Sequence, residues 1–373
     1  MKNKIATLII VILSITKVCA QDPSFTQFTF NKLYFNPAFS GDNNGFVFGL
    51  TGRSLWQSVP SGFYTSKISA DWNLHLSDKL CGLGIIGVSD VEGEGFLKTY
   101  SLGIPIAIKL PVSKSISIRF GLQPSYLQNS IDWTRLKFSN QYDPVNGLVS
   151  SNGLENSTGT NKNVYDFDLT SGMLGEYINT KNRYWSIRLG IAFYHMNRPD
   201  ISYYKSKRLP MKTVYHIDGT IATNTKNTFS FNPAFVIEQQ SNMKTILLGT
   251  NLFFTPYLKQ QSLFVGLWYR RWRNSDAINI NVGVRISNNK LWRLLLYYNY
   301  DITGSNMAST SGGSHEVGLL YEFDKTQRFK IKKMTAQKCS TDANGNLKNK
   351  TKTKRSRNKT KINKKPSTNI IGL

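Results

Sequence analysis

Between Asn279 and Ile286 the chain reads Asn-Ile-Asn-Val-Gly-Val-Arg-Ile, with an aliphatic side chain at every second position and polar or small ones between. At the two-residue period of an extended strand, one face meets an apolar phase and the other a polar one. Leu102, Ile104, Ile106, Ile108 and Leu110 repeat the pattern, as do Trp185, Ile187, Leu189, Ile191 and Phe193. Segments of this kind, bounded by turn residues, fall at 46–55, 63–73, 80–89, 96–110, 115–127, 164–178, 184–195, 211–222, 227–238, 243–254, 262–272, 277–286, 291–301 and 314–323. They predict about fourteen strands, an even number, of lengths that suit a tilted crossing of a bilayer.

The links between these segments alternate in character. Several even-numbered ones are brief and carry Ser, Asn or Asp beside Lys, such as Ser77-Asp78-Lys79 and Asn224-Thr225-Lys226; several odd-numbered ones are long, notably 128–163, 196–210 and 302–313. Short turns on one rim and long loops on the other are the habit of an outer-membrane barrel, and a soluble sandwich has no reason for that sorting. Aromatics gather near strand ends (Trp56, Phe63, Trp72, Tyr194, Trp268, Trp272, Trp292, Tyr298, Tyr300), which reads as an interfacial girdle. Parity along 263–270 turns Leu263, Val265, Leu267 and Tyr269 outward and Phe264, Gly266, Trp268 and Arg270 inward. The lumen is then polar and positive, with Arg119, Arg188, Arg270, Arg285 and Arg293 as lining candidates and Asp301 and Glu316 offsetting them.

Composition narrows the setting. Lys2 and Lys4, the apolar run Ile5 to Ile15, and Val18-Cys19-Ala20 before Gln21 form a secretory signal peptide over 1–20. No later stretch reaches eighteen uninterrupted apolar residues, so a helical membrane protein is excluded and a closed barrel or a soluble exported β protein remains. Cys81 and Cys339 give neither a disulfide framework nor a metal site. Of the formal charge of +25, most is local: from Lys325 onward sixteen Lys and Arg stand against one acid, Asp342. Residues 325–373 lack periodicity and read as a basic disordered tail; export removes the context in which Lys352 to Arg357 would suggest nucleic acid.

No catalytic set emerges. The four histidines, His75, His195, His216 and His315, have no metal spacing with another ligand. Ser314, His315 and Glu316 with Asp301 is the nearest approach to a hydrolytic group, but neighbours in a strand point to opposite faces. The chain is read as a non-enzyme without cofactor or metal.

The segment before the first strand differs in kind. It is aromatic-rich and without alternation: Gln21-Asp22-Pro23-Ser24-Phe25-Thr26-Gln27-Phe28, then Asn31-Lys32-Leu33-Tyr34-Phe35-Asn36-Pro37-Ala38-Phe39-Ser40-Gly41. This resembles the opening of the PorP/SprF family of Bacteroidetes outer-membrane proteins. Further points of resemblance are Arg53 to Trp56, Leu83-Gly84 through Asp90, His195 with Arg198-Pro199, Arg208 to Met211, Tyr298 to Asp301, and Gly313 to Glu316. The departures are Ser54-Leu55-Trp56 in place of a Gln-Trp pair after the first-strand Arg, the longer loop Pro60 to Thr65, and the basic tail.

The resemblance implies an outer-membrane barrel component of the type IX secretion system. Such a barrel, in contact with outer-membrane lipid and with the secretion machinery, supports export or cell-surface attachment of a large adhesin-like protein bearing a C-terminal sorting domain, with a link to gliding motility. The alternative is a porin or hydrophobic-solute channel. The expected organisation is a signal peptide at 1–20, a periplasmic or plugging segment at 21–45, a transmembrane antiparallel β-barrel at 46–324 and a periplasmic tail at 325–373, both termini being periplasmic. Phe25, Phe28, Tyr34, Phe35, Asn36, Pro37 and Phe39 are the candidates for plugging or partner contact.

Overall fold

The computed structural model describes residues 22–323 apart from Asn44 and parts of the links between strands, the longest being 149–162. The stretches read above as a signal peptide (1–20) and a basic tail (325–373) lie outside the described residues. The strands are β1 (Phe46–Leu55), β2 (Phe63–Leu76), β3 (Lys79–Glu92), β4 (Leu97–Gly103), β5 (Ile106–Pro111), β6 (Ile116–Ser130), β7 (Tyr142–Asp143), β8 (Gly147–Leu148), β9 (Val164–Ile178), β10 (Trp185–Tyr194), β11 (Lys212–Ala222), β12 (Phe229–Gln240), β13 (Met243–Phe254), β14 (Gln261–Trp272), β15 (Ser275–Asn288), β16 (Trp292–Thr303) and β17 (Ser314–Phe323). β7 and β8 pair only with each other, and β4 and β5 share one stave between β3 and β6. The remainder form a closed antiparallel barrel of fourteen staves, sealed where β1 pairs with β17, Phe46 opposite Phe323 and Leu55 opposite Ser314. Closure satisfies every strand edge, as a bilayer demands.

The segment predicted at 96–110 is one stave with a break. Proline has no N–H to give to a ladder, so the pairing of β3 passes from Gly103 to Ile106 around Pro105. Gly84 N–H donates to the Pro105 carbonyl at 2.8 Å and Ile104 N–H to the Pro124 carbonyl at 3.0 Å, which bridges the break. Outward alternation survives it: Leu102, Ile104, Ile106 and Ile108 are all exposed. The belt is continuous elsewhere, with Leu263, Val265 and Leu267 at 57–61% exposure on the outer face of β14. An apolar band of this extent is at home only against lipid.

The hydrophobic core sits inside the barrel, where residues 22–43 run through the lumen. They form a 3-10 turn at Phe28–Phe30, one α-helical turn at Lys32–Phe35 and a second 3-10 turn at Pro37–Phe39. Asn36 starts the last of these: its side-chain oxygen accepts the Ala38 N–H at 2.9 Å, and Pro37 takes the first position, where no N–H is required. Phe25, Phe28, Phe35, Ala38 and Phe39 pack on Leu174, Val214, Val236, Leu247 and Trp268 of the wall, while Phe30 joins Phe253, Phe264 and Tyr297.

The two ends of the described chain lie at opposite rims. β1 begins and β17 ends on the rim of short links, as an even barrel requires. The segment before β1 crosses the lumen to bury its aromatics, so Asp22 lies at the opposite rim, beside His195, Lys212 and Gln240.

Candidate functional site: the lumen segment and its vestibule

At the short-link end the wall is shaped to the backbone of the segment. Gly82, Gly121 and Gly172 face inward, and a Cβ on any of them would overlap the Ser40 carbonyl, the Ala38 nitrogen and the Asn36 side-chain oxygen respectively. Nothing larger than glycine lets the segment come so close to the wall. Asn36 Nδ2 donates to the Met173 carbonyl at 3.1 Å, and Gly41 N–H to Asp71 at 2.8 Å. Asp42 lies between Arg119 (3.1 Å) and Arg188 (2.8 Å), and Arg188 also pairs with Asp218. Burial alone would push the Asp42 carboxyl up, but Arg119 and Arg188 outweigh it and hold it below the usual range.

Midway, two wall carboxylates organise the chain. Glu316 accepts the Thr26 N–H at 2.7 Å and bonds Asn31 and Tyr297, each at 3.1 Å. Asp301 accepts from Thr26 Oγ1 (3.0 Å) and Ser314 Oγ (2.6 Å), and Arg53 and Arg270 each approach it at 3.1 Å. Gln27 bonds Asn299 and Asn281, both at 2.8 Å, and Asn31 Oδ1 accepts from Thr51 and Lys67. A buried polar network connected in this way specifies one seating of the segment.

At the long-link end the contacts are ionic. Asp22 meets His195 Nε2 at 2.8 Å and Lys212 at 3.9 Å, while His195 Nδ1 lies 3.1 Å from Asp168. Burial disfavours the imidazolium, but Asp22 and Asp168 outweigh it and push His195 up to about 10, so the ring is a cation at neutral pH and no general base. Asp22 is held below the usual carboxylate range, burial being overcome by His195 and Lys212. His195 (φ 56°) and Trp56 (φ 57°) both adopt the left-handed backbone that is strained for a non-glycine residue.

Above Asp22, Pro23 and Ser24 opens a vestibule of about 710 Å³, walled by Trp56, Phe63 and Trp272 and by charged groups including Asp90, Glu92, Lys212 and Glu238. It ends on the segment, which is buried from Phe25 to Asn31.

A family model described as type IX secretion system membrane protein PorP/SprF matches residues 18–321. The chain belongs to this family. Membership and the closed barrel place it in the outer membrane and associate it with the type IX secretion machinery. No curated protein sequence matches it. Solved structures with a similar fold include the toluene transporter TodX of Pseudomonas putida (8% identity, covering 83% of this chain and 100% of that one, TM-score 0.48). The CymD monoaromatic hydrocarbon channel (11%, 83% and 96%, TM-score 0.47) and BamA of Haemophilus ducreyi lacking POTRA domains 1–3 (11%, 75% and 70%, TM-score 0.39) are further examples.

Within this PorP/SprF barrel, Phe25, Phe28, Phe35, Asn36, Pro37 and Phe39 are buried and Tyr34 is half-buried, its hydroxyl donating to the Pro23 carbonyl. Arg119, Arg188 and Arg270 face the segment or the carboxylates that hold it. Arg285 instead contacts the wall, bonding Ser262 at 3.2 Å and stacking over Phe253, and Arg293 pairs with Glu322 at 2.8 Å on the short-link rim. Asp301 and Glu316 are buried, whereas His315 turns to the outer face against Tyr298 and Tyr300. The girdle reading requires correction. Trp72 and Tyr298 are outward and exposed, but Trp268 and Tyr194 pack in the lumen, and Trp56, Phe63 and Trp272 line the vestibule. Both groups occur near strand ends because both a bilayer interface and a wet lumen mouth favour amphipathic rings. Sequence reasoning missed Asp22, Asp42, Lys67, His195 and Lys212; parity would have turned Lys67 inward, but nothing local marks the partners of the two aspartates.

Proposed function

We propose that the barrel supports export or surface attachment of a large secreted protein, adhesin-like and bearing a C-terminal sorting domain, with a link to gliding motility. The filled lumen carries this reading. A wall whose Gly82, Gly121 and Gly172, Asp301 and Glu316, and Arg119 and Arg188 are matched to an internal segment is suited to holding a shape at its rim, and poorly suited to passing solutes. The long-link rim then faces the cell exterior and the vestibule is the partner's seat, while the short-link rim and the basic tail face the periplasm.

Purified barrel in a planar bilayer tests the choice against a porin or solute channel. The expected result is no steady conductance, together with co-purification of one large exported protein from the native outer membrane. A persistent open conductance without a retained partner would replace attachment by transport.

A further inference from the structure

The charges around the vestibule are unequally matched. On the lumen side Arg53 and Arg270 share Asp301, and Lys212 stands 3.3 Å from Glu238 and 3.9 Å from Asp22. Those cations already have carboxylates; Arg208, the remaining cation of the lining, is exposed to solvent. Asp90 and Glu92 do not have cations: they lie two residues apart on the inner face of β3, and among the described residues no Lys, Arg or His comes within ion-pair distance of either. Asp90 is 4% exposed; it accepts the Thr65 hydroxyl at 2.6 Å and shares a side-chain hydrogen bond with Glu92, so the pair holds one proton between its two carboxyls. A buried carboxylate without a counter-charge is costly, and a cation brought by a ligand offsets that cost.

Beside the acids lies an aromatic step. Thr65 pairs with Asp90 across β2 and β3, and Phe63 is two residues from Thr65 on the same inner face. Phe63 meets Trp56 edge-on with centroids 5.4 Å apart, and Trp56 meets Trp272 at 6.1 Å. The cavity thus offers a carboxylate pair adjoining a ring cluster, in a volume within the range of small-ligand sites.

We infer that the vestibule binds an extended peptide segment of the exported partner in which a lysine or arginine pairs with Asp90 and Glu92 while a neighbouring aromatic or aliphatic side chain packs on Trp56 and Phe63. The inference rests on the attachment reading and adds to it the chemistry of the docked segment. Specificity follows because an acid at the same peptide position meets the negative charge of the Asp90–Glu92 pair.

Fluorescein-labelled capped hexapeptides, each with one phenylalanine followed by lysine, glutamine or glutamate, test this on the full barrel in nanodiscs. The lysine peptide is expected to bind saturably and about tenfold more tightly than the glutamate peptide, the scale of one charge-assisted hydrogen bond, with the difference shrinking as salt rises. The double variant Asp90→Asn with Glu92→Gln should bring the ratio below about twofold while heat-modifiable gel mobility reports an intact barrel. Phe63→Ala should weaken all three peptides alike. Equal binding of the three, tighter binding of the glutamate peptide, or no saturable binding would overturn the assignment. If a native partner still co-purifies in that event, attachment stands and only the chemistry of the seat is wrong.

Discussion

The two ends of the lumen segment are held by different physics. At the short-link end, backbone lies on backbone at Gly82 and Gly121, the Asn36 side chain lies on Gly172, and Asp42 is locked between two arginines. At the long-link end Asp22 is gripped by side chains alone, next to an open vestibule. Close packing against glycine has no flexible tip that can give way, whereas an ion pair that includes a histidine depends on that ring's protonation. One end is therefore an anchor and the other a latch, and the latch is the end nearest any partner seated in the vestibule.

The most severe way to break the anchor is to fill its space. Gly172→Leu puts a side chain where the Asn36 amide oxygen and the Pro37 ring sit. Overpacking costs about 1–3 kcal/mol where neighbours can shift; here they are the Asn36 amide, hydrogen-bonded to the Met173 carbonyl, and a proline ring, so the segment is expected to leave the lumen. The measurable outcome is a conducting barrel with a lowered unfolding temperature. Unchanged stability and silence in the bilayer would mean that the close fit is incidental. The next break of the anchor is Asp42→Ala, which leaves Arg119 and Arg188 facing each other with Asp218 and Glu176 as nearby acids. Removing one partner of a buried pair costs about 3–5 kcal/mol, read as a shift of the denaturation midpoint. The same change at the latch, Asp22→Ala, should cost clearly less, and equal costs would erase the distinction between the ends.

The sequence makes the wall far more legible than its contents. Alternation over two residues marks every stave, because each strand lies between lipid and lumen and the pattern is local. Pro105 interrupts one stave without disturbing its parity, so the break was invisible in the alternation. Inward arginines follow from the same parity, but their partners do not: Arg188 meets Asp42 across 146 positions and Glu316 meets Thr26 across 290. Gly121 and Gly172 read as ordinary small residues until the segment is seen against them. Trp56 and Trp72 look alike in the sequence, yet one lines the vestibule and the other faces lipid. These distinctions depend on contacts that no period along the chain encodes.

The finest separation of latch from anchor comes from pH. His195 is raised from 6.5 to about 10 by Asp22 and Asp168 against the opposing effect of burial, so its contribution is complete below pH 6.5 and is lost as pH rises through about 10. Asp22, lowered from 3.8, contributes above that pH and loses its contribution only as pH falls further. The latch should then stay closed at neutral pH and loosen near pH 10, even with Lys212 close by, while Asp42 between its two arginines does not respond there. Nitroxide labels at residue 24 or residue 43, in a chain lacking Cys81 and Cys339, read the two ends separately by their mobility. The label at 24 is expected to gain mobility between pH 9 and 11, and to be mobile already at pH 7 in His195→Gln, while the label at 43 stays constrained throughout. Parallel loosening of both labels would mean that the segment moves as one body, and the latch would lose its separate standing.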